Sequence, residues 1–160
     1  MTKEITQKRF RISVQEYNKS HDSIWLHRIQ NNPLAYQQTE ADYLISFLCR
    51  GAPILALVEC KQVTDDDRIS VSRFKQMTGL CKFDTSYRHH QAYFLINFWR
   101  GSARHSNAFM IPAIILRDYI DVYKCASIKE SEFISKFGMY QLSLIGKYYD
   151  VERFINSIRV

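Results

Sequence analysis

Three polar residues at the margins of apolar segments have types and spacing suited to chemistry. Asp42 precedes Tyr43-Leu44-Ile45-Ser46-Phe47, and Glu59 and Lys61 stand two apart at the end of Ile54-Leu55-Ala56-Leu57-Val58. Strand side chains alternate with a period of two, so Glu59 and Lys61 share a face, and a hairpin joining the two segments brings Asp42 beside them. Two carboxylates supply the hard oxygen ligands that Mg²⁺ takes, and their excess negative charge favours filling the site. A cation there can polarise a phosphoryl oxygen, help form hydroxide from water and neutralise charge developing on a scissile phosphate. Lys61 can hold the attacking water or stabilise the pentacovalent phosphate as a point charge, without acting as a base. The competing reading is ordinary, because Glu and Lys two apart also decorate solvated sheet edges. Position separates the two readings: charge inside an otherwise apolar strand is costly unless something compensates it.

The elements that must position these residues follow from local pattern. A basic amphipathic opening predicts one or two helices over residues 3–19, and strand formers over 24–29 predict a first strand that Asn31-Asn32-Pro33 stops. A second strand starts at Asp42, turns at Arg50-Gly51-Ala52-Pro53 and returns as a third over 54–62, apolar on both faces as a central strand should be. After the acidic loop Asp65-Asp66-Asp67, Ser70 or Ser72 is placed to cap a helix reaching residue 83. Strands over 91–99 and 108–116 flank a basic tip, Arg100 to His105. Ser127-Ile128-Lys129-Glu130 matches a capping box for a helix that Gly138 closes, and Asp150 starts a last helix. The order predicts an α/β fold, a mixed central β-sheet flanked by helices, in one domain spanning 1–160.

With these residues placed, the chain resembles the PD-(D/E)XK nucleases, and within them the Holliday-junction resolvases of the RecU and Hjc type and the VRR-NUC domains. The resemblance is carried by Ala41-Asp42-Tyr43-Leu44-Ile45, Ala56-Leu57-Val58-Glu59-Cys60-Lys61, Ser72-Arg73-Phe74-Lys75-Gln76-Met77 and Gln91-Ala92-Tyr93-Phe94-Leu95-Ile96. It implies a restriction-endonuclease-like core, with Asp42 and Glu59 as metal ligands, Lys61 as catalytic cation and Gln76 on a helix facing the metal. It also implies a further Glu from a preceding helix, for which Glu16 is the first candidate and Glu4 the second. Glu40 replaces Asp42 if the register is offset by two. The implied cofactor is Mg²⁺, with Mn²⁺ as substitute, the partner is DNA, and the assembly is a homodimer whose two sites cut two strands. One departure is plain. Resolvases of the RecU type carry a long insertion before the metal Asp, whereas only residues 30–41 lie there in this chain.

Bulk properties bound the remainder. A net charge of +6 favours an anionic partner without naming one. Arg88, Arg100, Arg104 and Lys75 are the candidate phosphate contacts. Four singly scattered cysteines lack zinc spacing and read as reduced thiols, and adjacent His89 and His90 point apart on an extended segment, which disfavours a metal pair. The longest apolar run, 52–58, is far short of a membrane span, so the expectation is a cytoplasmic protein, or a nuclear one in a eukaryotic host. Two rivals stay open: a restriction-like, repair or homing endonuclease on the same core, and a catalytically inert DNA-binding module.

Overall fold

The computed structural model describes residues 3–21, 23–29 and 41–158. Its elements run α1 (Lys3–His21), β1 (Ile24–Arg28), β2 (Tyr43–Cys49), β3 (Ala52–Thr64), β4 (Arg68–Ser70), α2 (Met77–Ser86), β5 (His90–Trp99), β6 (Asn107–Pro112), α3 (Ala113–Tyr123), β7 (Ser127–Lys129), α4 (Glu130–Phe137), β8 (Gln141–Leu142), β9 (Leu144–Ile145), β10 (Tyr148–Tyr149) and α5 (Val151–Ser157). Six strands form one sheet in the order β1-β2-β3-β5-β6-β8. Among the described strands only β3 and β5 pair in parallel, joined by a crossover through α2, so the α/β reading and the mixed sheet both hold. None of the described helices is long and apolar enough to cross a membrane.

Alternation along β3 builds two cores. Ile54, Ala56, Val58 and Cys60 face Phe10 and Val14 of α1 and Phe154 of α5. Leu57 and Val63 face the other way, toward Leu80 of α2, Leu116 of α3 and Phe133 of α4. Each fully buried Leu or Phe contributes about 1.5–3 kcal/mol, which explains why β3 and β5 are apolar on both faces and lie centrally. The β2–β3 turn fits its residues: Arg50 and Gly51 both have positive φ, as a two-residue hairpin loop requires. Pro53 lies inside β3, yet its missing N–H costs nothing to β5, whose pairing begins only at Leu55.

Three expectations are corrected. The strand expected over 108–116 stops at Pro112, and Ile114-Ile115-Leu116 belongs to α3, where Ala113 and Leu116 are buried at helical spacing. A proline with no N–H to donate suits a helix start, and that signal outweighs the β-branched run. The helix expected from Ser70 begins at Met77, because Ser70 pairs with Ser127 in the β4–β7 ladder and a 3-10 turn over Val71–Arg73 follows. Likewise Ser127 is in β7, and α4 begins at Glu130, where the Glu132 carboxylate accepts the Lys129 N–H at 2.8 Å.

Candidate active site

Glu59 and Lys61 are 1% and 8% exposed, and their side chains pair at 2.8 Å. Lys61 Nζ also donates to Gln76 Oε1 at 3.0 Å. An ammonium has three N–H groups, so these two bonds leave one for another acceptor. Gln76 reaches this spot because the chain before α2 is anchored on both sides. Arg73 donates to the Gln62 carbonyl at 2.7 Å, and Phe74 packs edge-on against Phe94 at 5.0 Å. Gln76 occupies the N-cap of α2 with helical dihedrals, and its carbonyl accepts the Leu80 N–H.

Asp42 sits where β2 leaves β3. Tyr43 is the residue paired with Val58, yet the N–H of Asp42, just before β2, also bonds to the Val58 carbonyl, so two successive residues face one of β3. That is the pattern of a β-bulge, a device that re-aims a side chain at the end of a pairing. The re-aimed carboxylate accepts the Cys60 N–H at 2.7 Å through Oδ2 and Gln7 Nε2 at 2.6 Å through Oδ1. It therefore lies against the peptide that links Glu59 to Lys61.

Gln7 is held there by the first turns of α1. Thr6 donates through its N–H and its hydroxyl to Gln62 Oε1 at 3.2 and 2.8 Å, and Asn97 donates to the Thr6 hydroxyl at 3.2 Å. Tyr43 donates from its hydroxyl to the Gln7 carbonyl at 3.0 Å, and burial pushes the Tyr43 phenol up to about 12, so it remains a donor at neutral pH. Further along the helix, Arg9 lies over the Trp99 ring at 4.8 Å.

The structure thus joins Glu59, Lys61 and Gln76 directly and brings Asp42 in through Cys60. Glu16 does not join them. Nine residues beyond Gln7, it is about 13.5 Å further along the helix axis, and it pairs with Lys19 at 2.6 Å. The Glu4 side chain and all of Glu40 lie outside the described residues. Sequence reasoning missed Gln7, Thr6, Gln62 and Asn97. Gln62 and Asn97 carry the same signal that singled out Glu59, a polar residue inside an apolar strand.

The four candidate phosphate contacts separate. Lys75 is exposed beside Gln76, and Arg104 is exposed on the hairpin tip that follows β5, at the same end of the sheet as Lys61. Arg100 is engaged within the chain: its guanidinium pairs with Glu130, whose other oxygen accepts from Asn107 at 2.8 Å, and the Arg100 N–H bonds Ser106. It closes the hairpin. Arg88 is at the opposite end, just before His90, which stands level with Leu55.

Among the described residues, no three His, Cys, Asp or Glu side chains form a metal-holding group. His90 bonds Ser86 and stacks on Phe83. The donors at hand are the two carboxylates of Asp42 and Glu59. This set fits Mg²⁺, which binds through one or two carboxylates and keeps several waters, and does not fit zinc, which takes three or four nitrogen and sulfur ligands. In comparisons with known proteins, the chain matches no family model and no curated sequence.

Proposed function

We propose that this chain is a metal-dependent DNA endonuclease whose centre is Asp42, Glu59 and Lys61 in the PD-(D/E)XK arrangement, working as a two-fold dimer. The supporting observation is the buried Glu59–Lys61–Gln76 chain laid against the Asp42 carboxylate. Two carboxylates beside one ammonium in a partly desolvated place offer the hard oxygen ligands that a divalent cation takes. Asp42 and Glu59 would hold Mg²⁺, or Mn²⁺ in its stead. When bound, the ion supplies Lewis-acid stabilisation of phosphoryl charge and lowers the pKa of a bound water.

The chain's own residues do the positioning. Gln76 and Glu59 fix the ammonium of Lys61, so its remaining N–H can be directed at an attacking water or a non-bridging phosphate oxygen without reorganisation. Gln7 and the Cys60 N–H fix the Asp42 carboxylate in the same way. A test offers four-way junction, flap, duplex and single-stranded DNA side by side with Mg²⁺. Nicking of at least one substrate, lost in Asp42→Asn, is the expected result.

One observation favours a second reading. The Glu59 carboxylate is already compensated by Lys61, so the pair can serve as a buried structural link in an inert DNA-binding module. Protein that binds DNA but nicks none of the four substrates with Mg²⁺ or Mn²⁺ decides for that reading.

A further inference from the structure

On the sheet face that carries Glu59 and Lys61, the half built by β1, β2 and β3 presents exposed aromatic side chains. Trp25 is 56% exposed, and its ring lies parallel to that of His27 with centroids 5.6 Å apart and 5° between planes. Ile24 and Leu26 pack into the α1-side core, so the alternate residues Trp25 and His27 are on the opposite face, the one Leu57 shares. Register sets Trp25 beside Ser46, Ser46 beside Leu55 and Leu55 beside His90, a lateral row about 14 Å long across four strands. Glu59 follows four residues after Leu55 on β3, about 13 Å away.

Two grooves run along this row. One, of about 400 Å³, is lined by Trp25 and Leu48, and the other, of about 370 Å³, by Tyr87, Arg88 and His89. They share Ser46 and Pro53, so they form one trough. An aromatic ring stands at each end, Trp25 at one and the 71% exposed Tyr87 at the other. Among its described lining residues there is no Asp or Glu, while Arg88 supplies a cation. Exposed aromatic rings at both ends, a cation beside one of them and no carboxylate between suit a single strand of nucleic acid. Its unpaired bases offer stacking faces, and its phosphates need cations. A paired duplex hides those base faces.

We propose that this trough binds single-stranded DNA, with an unpaired base stacked on the Trp25–His27 pair and the phosphate chain held by Arg88. Resting on the nuclease reading, the inference narrows the substrate class to DNA carrying an unpaired segment next to the cleaved bond. Arg88, too remote to flank Lys61 along β3, thereby acquires a role at the far side of the substrate.

The test measures binding in EDTA, so it is independent of cleavage. Labelled oligothymidine of about twenty nucleotides and a duplex of the same length are titrated with unmodified protein, Trp25→Ala, Trp25→Phe and Arg88→Gln. Trp25→Ala is expected to weaken oligothymidine binding about tenfold while changing duplex binding less than about twofold, and Trp25→Phe to restore most of the loss. Arg88→Gln is expected to reduce the salt slope by about 0.7. Equal losses on both DNAs, no loss on either, no binding of oligothymidine by unmodified protein, or an altered oligomeric state with binding unchanged each overturn the proposal. Failure of the nuclease reading shows elsewhere, as cleavage that survives Asp42→Asn.

Discussion

Two ion pairs lie toward the same end of the sheet, Glu59–Lys61 and Arg100–Glu130, and they differ in what surrounds them. Arg100 and Glu130 balance one charge against one, and Glu130's second oxygen is taken by Asn107, which in turn accepts from Gln141. That network is neutral and ties the β5–β6 hairpin to α4. Glu59 and Lys61 are more deeply buried and have Asp42 lodged against the peptide between them, which sets a second carboxylate beside the pair. A pair that stands by itself stabilises structure, whereas a second carboxylate beside a pair supplies oxygen ligands for a cation. Pairing alone does not separate the two sites; the second carboxylate does.

The largest effect expected from this contrast is on cleavage. Asp42→Asn or Glu59→Gln removes one of the two carboxylate ligands and is expected to lower the nicking rate by at least about 10³-fold, while DNA binding measured in EDTA stays within about threefold. Full activity in either variant dismisses the site. The mirror experiment is Glu130→Ala, which leaves Arg100 without its balancing charge. Full rupture of a buried pair costs 3–5 kcal/mol, and this one is 27% and 15% exposed, so a loss of about 2 kcal/mol in urea unfolding is expected. Nicking per folded molecule should be unchanged. A cleavage defect as large as that of Asp42→Asn removes the distinction between the pairs.

Cation binding supplies the next, smaller effect. At tenfold over its Kd, Mg²⁺ is expected to stabilise the fold by about 1.4 kcal/mol. For a chain of this length that corresponds to a rise of about 4 °C in Tm. Asp42→Asn should flatten the response and Glu130→Ala should preserve it. A Tm indifferent to Mg²⁺ in the unmodified protein decides for a self-compensated Glu59–Lys61 pair.

Much of this arrangement is legible in the residues, for identifiable reasons. The hairpin of β2 and β3 declares itself through Arg50-Gly51 between apolar runs, and the ExK pair through charge in an apolar strand. The approach of Asp42 to Cys60 is legible only as proximity, because the bulge that re-aims it depends on how β2 departs from β3. Gln7 is less legible still. Thr6, Phe10 and Val14 mark the buried stripe of α1 at helical spacing, and the register of that stripe against Gln62 and Asn97 is a tertiary fact. The place of Glu16 along α1 is likewise not legible, because helical spacing alone does not say which turn of α1 meets the end of β3. The pairing of Arg100 is not legible either, because a basic hairpin tip reads as solvated until Glu130, thirty residues on, is folded against it.

The smallest effect concerns the start of α4, next to the neutral pair. The Lys129 N–H, and after it the Tyr119 hydroxyl, hold the Glu132 carboxyl below its ordinary value of 4.5. A carboxyl whose folded pKa is depressed contributes stability that is fully present above its unfolded value and is lost as pH falls through the folded one. Unfolding midpoints compared near pH 6 and near pH 3.5 should therefore fall further in the unmodified protein than in Glu132→Gln, by under about 1 kcal/mol for so exposed a group. Asp84 works in the opposite sense, because burial raises its carboxyl despite the Ala92 N–H that lowers it, so acid relieves rather than adds strain there. The comparison between the unmodified protein and Glu132→Gln cancels that shared contribution and isolates the helix start. Equal falls in both proteins would show that the Lys129 and Tyr119 bonds to Glu132 do not favour its charged form.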